Sequence, residues 1–319
     1  MWPLPEFLLQ EGSVRSNTWR NREARQNESK SPIEYSALSA PTHTTTSEPF
    51  DFARAASLLT DAAARAGTAI MAHYTGGTEI EIKADSSPVT DADRDSQAII
   101  LEALKVLAPE IPVVSEELAS DLTASLGPRF FLVDPLDGTK EFIKKRTDFT
   151  INVALVEQGR PRFGLVYAPA RSLLAFTVAD GEAVEATLLP DAAGADLSKL
   201  AQTRLRARVA NPEGLTAVVS LSHFDPETEA FLAKHKIAER SSAGSAVKFL
   251  ELARGRADVY PRFGPTMEWD TAAGHAVLEA AGGYAVAADG TPLRYGKTEA
   301  GLRNPGFVAW GRKAGASSH

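Results

Sequence analysis

The chain has 319 residues, with 34 lysines and arginines against 41 aspartates and glutamates, so its formal charge is −7, and 44% of its residues are hydrophobic. That is the composition of a globular protein able to bury a large core. The negative balance argues against electrostatic binding of a nucleic-acid polymer, and the absence of cysteine excludes disulfides, thiolate zinc sites, iron–sulfur clusters and a cysteine nucleophile. Any metal site must use oxygen or imidazole, and a small anionic substrate is compatible with the charge if cations accompany it.

No uninterrupted apolar run reaches the roughly 18 residues that a membrane-spanning helix needs. The first nine residues lack the basic start and apolar centre of a signal peptide. Residues 1–49 are expected to be a disordered N-terminal extension, because beyond Glu11 they are rich in Ser, Thr, Asn, Arg and Glu without helical or strand periodicity. Five acids within it, from Glu6 to Glu34, argue against a transit peptide. The reading is of a cytoplasmic protein.

From Phe52 the pattern changes. Phe52, Ala55, Ala56, Leu59, Ala63, Ala66 and Ile70 recur at three and four residues, which predicts a long helix and the start of the globular part. A short strand is expected at 79–83, a loop at 85–88, and then a helix with Thr90 and Asp91 as cap residues and Ile99, Ile100, Ala103, Leu104 and Leu107 as its buried stripe. Apolar runs at 111–114, 130–133, 151–156, 163–167 and 173–178 predict strands. After Gly181 a polar connection leads to a strand at 217–221. Helices at 227–235, 246–253 and 272–281 and strands at 257–260, 284–287 and 307–310 follow. Helices and strands alternate in both halves, as in layered α/β architecture. We divide it into an N-terminal α+β lobe, 50–190, and a C-terminal α/β lobe, 191–319.

The most informative stretch is Phe130-Phe131-Leu132-Val133-Asp134-Pro135-Leu136-Asp137-Gly138-Thr139. A buried strand delivers Asp134 to its carboxyl end, where open α/β sheets bind ligands. Pro135 stiffens the turn, Asp137 can converge with Asp134, and Gly138 and Thr139 can begin a helix whose free amides suit a phosphate oxygen. Taken alone, Asp134 and Asp137 read more readily as a turn former and a helix cap. Three further acidic elements sit at element ends: Ser115-Glu116-Glu117 after a strand, Trp269-Asp270-Thr271 before a small-residue helix, and Thr90-Asp91-Ala92-Asp93 at a helix start. Each has a plain alternative, as solvated surface for Glu116 and as a helix cap for Asp270.

These segments, in this order, resemble the inositol monophosphatase superfamily of magnesium-dependent, lithium-sensitive phosphatases. Lys83-Ala84-Asp85-Ser86-Ser87-Pro88, Asp137-Gly138-Thr139-Lys140-Glu141-Phe142, Tyr260-Pro261-Arg262-Phe263-Gly264-Pro265, Trp269-Asp270-Thr271-Ala272-Ala273-Gly274-His275 and Asn304-Pro305-Gly306-Phe307 are similar to its CysQ-type 3′(2′),5′-bisphosphate nucleotidase branch. The resemblance runs from about residue 50 to residue 310. It implies an αβαβα sandwich of the inositol-monophosphatase/fructose-bisphosphatase type. It further implies two or three Mg²⁺ ions on Glu116, Asp134, Asp137, Asp270 and the carbonyl of Leu136, with Glu116, Asp93 and Thr139 activating the water.

The implied reaction removes the 3′-phosphate of 3′-phosphoadenosine 5′-phosphate, giving AMP and phosphate, a step that serves sulfate assimilation and nucleotide recycling. Substrate contacts are then expected from Leu136, Asp137, Gly138, Thr139, His223, Gly244, Ser245, Lys248 and Asp270. The bland reading of Gly244, Ser245 and Lys248 is a helix start and a solvated lysine. Alternatives are a phosphatase of the same fold acting on inositol monophosphate or a sugar bisphosphate, and a non-catalytic phosphonucleotide binder. Some members of the branch sit peripherally on the inner face of the plasma membrane, a property no amphipathic segment here predicts. Oligomeric state is left open.

Overall fold

The computed structural model describes residues 49–77, 79–82, 88–121, 126–190, 195–221 and 225–313. Residues 1–48 of the expected extension, the Lys83–Ser87 segment and His223 lie outside the described residues.

Helix α1, Phe52–Gly76, opens on Asp51, whose side chain accepts from the amide of Arg54 at 2.9 Å. A short hairpin, β1 (Ile80–Ile82) with β2 (Pro88–Thr90), leads into α2, Asp91–Leu107. Both helices cover one face of a seven-stranded sheet. Its order is β3-β4-β5-β6-β7-β8-β9, with β3 (Val113–Ser115), β4 (Arg129–Asp137), β5 (Thr150–Glu157), β6 (Arg160–Ala168), β7 (Leu173–Ala179), β8 (Glu182–Thr187) and β9 (Gln202–Arg204). Only β3 and β4 run parallel.

Side chains of β4 alternate between two cores. Phe131 and Val133 pack with α1 and α2, while Phe130 and Leu132 face a second core, so the strand reads as an unbroken apolar run. In that second core lie α5 (Val247–Ala253) and α6 (Glu268–Ala280). Gly164 of β6 lets α6 approach closely, since a Cβ there would stand 2.3 Å from the carbonyl oxygen of Ala273. Beyond these helices is a five-stranded sheet ordered β11-β10-β12-β14-β13, built from β10 (Leu215–Ser220), β11 (Ile237–Ala243), β12 (Val259–Arg262), β13 (Tyr284–Ala287) and β14 (Phe307–Trp310). Its outer face packs Ala217, Val259 and Val308 against Leu232 of α4, Pro226–Leu232. The layers are thus α, β, α, β and α, as the resemblance implies.

Besides the short β2, expected as a loop and helix cap, three strands escaped the apolar pattern. β8, β9 and β11 are edge or near-edge strands with polar residues such as Glu-Arg-Ser-Ser in β11, and β9 is fully exposed. Edge strands need no continuous apolar run. The first sheet therefore runs on to Arg204, past residue 190.

Candidate active site

Local geometry starts with a bulge in β4. Asp134 pairs with Asn152 and Asp137 with Thr150, so three steps on β4 match two on β5. In a regular strand, residues three apart point to opposite faces; one inserted residue turns both to the same side. Ser96 of α2 donates its hydroxyl to the carbonyl of Pro135 at 2.7 Å, and the amide of Leu136 donates to Oδ1 of Asp134 at 3.0 Å. Gly138 then takes φ 92°, with the carbonyl of Asp148 only 2.9 Å from where a Cβ would be. Both constraints select glycine. The chain turns there into α3, Thr139–Ile143, whose first residues line the cavity.

Asp270 arrives from the other core. Sequence placed it as the cap of the helix, but α6 begins earlier: its cap is Met267, and Asp270 is the third helical residue, accepting from the Met267 amide at 2.8 Å. Apolar residues before an acid shift the start of a helix when that acid can reach back to the cap amide. Asp134, Asp137 and Asp270 each offer a carboxylate oxygen within 4.8 Å of the others, the one such group among the described residues. Glu116 opens a 3-10 turn, Glu116–Asp121, directly after β3 and lines the same cavity of about 230 Å³, standing outside that tight trio.

Asp93 is buried in α2, and its Oδ2 accepts from both the amide and hydroxyl of Thr90, at 2.8 and 2.7 Å. Its other oxygen lies 3.3 Å from the hydroxyl of Thr139, which is also 3.2 Å from the carbonyl of Leu136. The expected pair of Asp93 and Thr139 is therefore assembled. The side chain of Leu136 is buried, so only its backbone can serve a ligand.

Electrostatics make this an unstable collection of acids on its own. Burial, then the charges of Glu116, Asp137, Asp270 and Asp93, push the Asp134 carboxyl well above the usual carboxylate range. Burial and the charges of Asp137 and Glu116 do the same for Asp270. Asp137 is raised by burial but relieved by Ser245, Lys248 and Asn152; Asn152 donates to it at 3.1 Å. Oxygen donors that must stay charged while crowded and buried suit a hard divalent cation, which supplies the missing positive charge.

Positive side chains line the same cavity. Lys248 is only 5% exposed, and burial lowers its pKa to about 8 despite the favourable charge of Asp137. It donates to the carbonyl of Ser245 at 2.7 Å. Arg262, at the end of β12, is 6% exposed; it donates to the carbonyl of Pro265 at 2.8 Å, and its Nε has no protein partner. Sequence reasoning gave Arg262 no role. The signal available was an arginine closing the apolar run Val259-Tyr260-Pro261, since a charge at the end of a buried strand must face a ligand or a partner.

Gly244 and Ser245 reach the cavity, but their polar groups are used internally. The Gly244 amide donates to Asp148 at 2.9 Å, and the Ser245 hydroxyl donates to the carbonyl of Asp137 at 2.9 Å. Ser245 adopts φ 54°, a strained value for serine of the kind found where geometry serves a site. His275 is buried on α6 beside the Tyr295 hydroxyl at 2.9 Å, a packed histidine and no part of the cavity lining.

An αβαβα sandwich with clustered carboxylates and a buried lysine and arginine around one cavity has oxygen donors suited to divalent cations and charges suited to phosphate groups. The model of the inositol monophosphatase family matches residues 52–314, and the chain belongs to that family. Among its relatives, the 3′(2′),5′-bisphosphate nucleotidase CysQ of Shigella flexneri is 43% identical over 248 residues, covering 77% of this chain and 95% of that protein. CysQ of Escherichia coli strain K12 is 42% identical over the same shares. The crystal structure of CysQ from Bacteroides thetaiotaomicron, described as a bacterial member of the inositol monophosphatase family, superposes with TM-score 0.67 at 38% identity, covering 81% of this chain and 98% of that one. No described helix is long and apolar enough to cross a membrane.

Proposed function

We propose that this protein is a metal-dependent 3′(2′),5′-bisphosphate nucleotidase that removes the 3′-phosphate of 3′-phosphoadenosine 5′-phosphate, leaving AMP and phosphate. The observation that carries the reading is that one cavity joins the carboxylate cluster to two buried cationic side chains, Lys248 and Arg262. A substrate with two phosphates uses both ends. Inositol monophosphate, with one, would leave the Lys248 and Arg262 end of the cavity without a phosphate to hold.

In this reading Glu116, Asp134, Asp137, Asp270 and the Leu136 carbonyl hold two or three Mg²⁺ ions. When bound, such ions neutralise phosphate oxygens and lower the pKa of a water. The amides of Gly138 and Thr139 hold the phosphate being cleaved, because the first amides of a helix have no internal partner. Asp93, fixed by Thr90, takes the water's proton by way of the Thr139 hydroxyl. Lys248 and Arg262 hold the second phosphate; arginine does so with a planar pair of donors and lysine as a point charge. Ser245 supports Asp137 rather than the nucleotide.

The test compares phosphate release from 3′-phosphoadenosine 5′-phosphate and from inositol 1-phosphate, in Mg²⁺, in chelator and with added lithium. Fast release from the bisphosphate, dependent on Mg²⁺ and blocked by lithium, is expected. Equal or faster turnover of the inositol ester would overturn the substrate assignment.

A further inference from the structure

We infer that Asn304 is a positioning residue for Asp270, holding the backbone whose amide orients that carboxylate; this rests on the metal role proposed above for Asp270. A strap of chain crosses the start of α6 and pairs with it through the backbone. Glu268 donates its amide to Leu302 at 2.8 Å, and Asn304 donates its own to Thr266 at 2.9 Å. The Asn304 side chain then donates Nδ2 to the carbonyl of Met267 at 2.7 Å, with the hydroxyls of Thr271 and Thr266 at 2.9 and 3.3 Å.

Met267 is the pivot of the arrangement. Its carbonyl is gripped by Asn304, and its amide donates to Oδ2 of Asp270 at 2.8 Å. One Asp270 oxygen is therefore committed to the backbone, and the side chain can turn only as far as Met267 moves. The residues bracketed by Asn304, Thr266 and Thr271, both line the cavity. Strap and helix are locked from the other side by Glu268, fully buried, whose carboxylate accepts the amides of Gly296 and Lys297 at 2.5 and 2.9 Å.

The amide orientation follows from the neighbours, since a carbonyl can only accept. It leaves Oδ1 of Asn304 buried with no protein partner, an arrangement that costs stability. Rotating the amide would set two carbonyl-type oxygens against each other at Met267. An unmatched acceptor retained beside an amide nitrogen whose two hydrogens are shared among three acceptors is what a group selected to hold Met267 looks like, rather than one selected to pack.

Manganese, a divalent probe, is titrated into the metal-stripped full chain by calorimetry, with melting temperature in chelator measured in parallel. Partners that orient metal ligands typically contribute about 10–100-fold in affinity. Asn304→Ala is expected to weaken binding by about tenfold or more while remaining folded, and Asn304→Ser, which keeps one short donor, to recover part of it. Failure of the unsubstituted chain to bind manganese would remove the metal reading itself. Wild-type affinity in folded Asn304→Ala would overturn the positioning role alone, and loss of folding in both variants would assign Asn304 to the fold instead.

Discussion

The hydroxyl of Ser96 donates to the carbonyl of Pro135 at 2.7 Å, joining α2 to the bulge that turns Asp134 and Asp137 the same way. Ser96 is fully buried, and no substrate can reach it. Ser96→Ala leaves the Pro135 carbonyl without that donor, at a cost of about 1–3 kcal/mol. Because the bulge sets the spacing of two carboxylates, we expect the Mg²⁺ concentration for half-maximal activity to rise by about tenfold. A melting curve beside a Mg²⁺ titration checks both, and unchanged Mg²⁺ dependence would detach the bulge from the site.

Asp134 and Asp270 are pushed up by burial and by neighbouring acids. Between the unfolded and the raised folded pKa the native protein holds more protons than the unfolded chain, so stability falls as pH rises through that interval. Metal-stripped protein should therefore melt at progressively lower temperature as pH rises above the ordinary carboxylate range of about 4, and Mg²⁺ should raise the melting temperature most at the alkaline end. Asp134→Asn should abolish turnover yet melt higher than the unsubstituted protein in chelator at about pH 8, because it removes a buried repulsion. Calorimetric melts at several pH values decide this; a lower melting temperature for Asp134→Asn would mean that its charge stabilises the empty fold.

What could be read from sequence followed the strength of the local signal. The stripe from Phe52 to Ile70 and the run Phe130–Val133 are buried and periodic, and both formed as read. The strand β11 is polar and mostly exposed, so its place was fixed only by pairing with β10. At the site, Glu116, Asp134, Asp137 and Asp270 stood out as acids at element ends, each with a plain alternative, and only the family resemblance joined them into one set. The bulge that makes Asp134 and Asp137 converge depends on the register of β5 and on Ser96, neither of which a single segment reveals. Arg262 was passed over for a similar reason: its importance lies in facing Lys248 across chain separations that only folding closes.

Arg262 and Lys248 are the two buried cations of the cavity. Arg262→Met keeps the length of the stem and removes the charge. Hydrogen bonds to charged groups contribute about 1.5–3 kcal/mol, so KM for the bisphosphate is expected to rise by about 10–100-fold with a smaller change in kcat. Hydrolysis of an ester carrying a single phosphate should hardly change. Steady-state kinetics on the two substrates separate the cases, and an equal loss on both would move Arg262 to the phosphate being cleaved.

Gly164 sits in β6 where α6 crosses it, and a methyl group there would meet the carbonyl oxygen of Ala273 at 2.3 Å and the Cβ of Ala276 at 2.8 Å. The backbone oxygen cannot swing aside, so Gly164→Ala must push the helix away from the sheet. Overpacking of this kind typically costs about 1–3 kcal/mol. The same helix carries Asp270 at its third residue, whereas Asp134 and Asp137 stay with the sheet. Displacing one relative to the other widens the gap that a shared cation must bridge, so Gly164→Ala should raise the Mg²⁺ concentration for half-maximal activity as well as lower the melting temperature. Thermal melts and Mg²⁺ titration on the same preparation test the link: a destabilised variant with unaltered Mg²⁺ dependence would show that α6 absorbs the methyl group without moving its first turn.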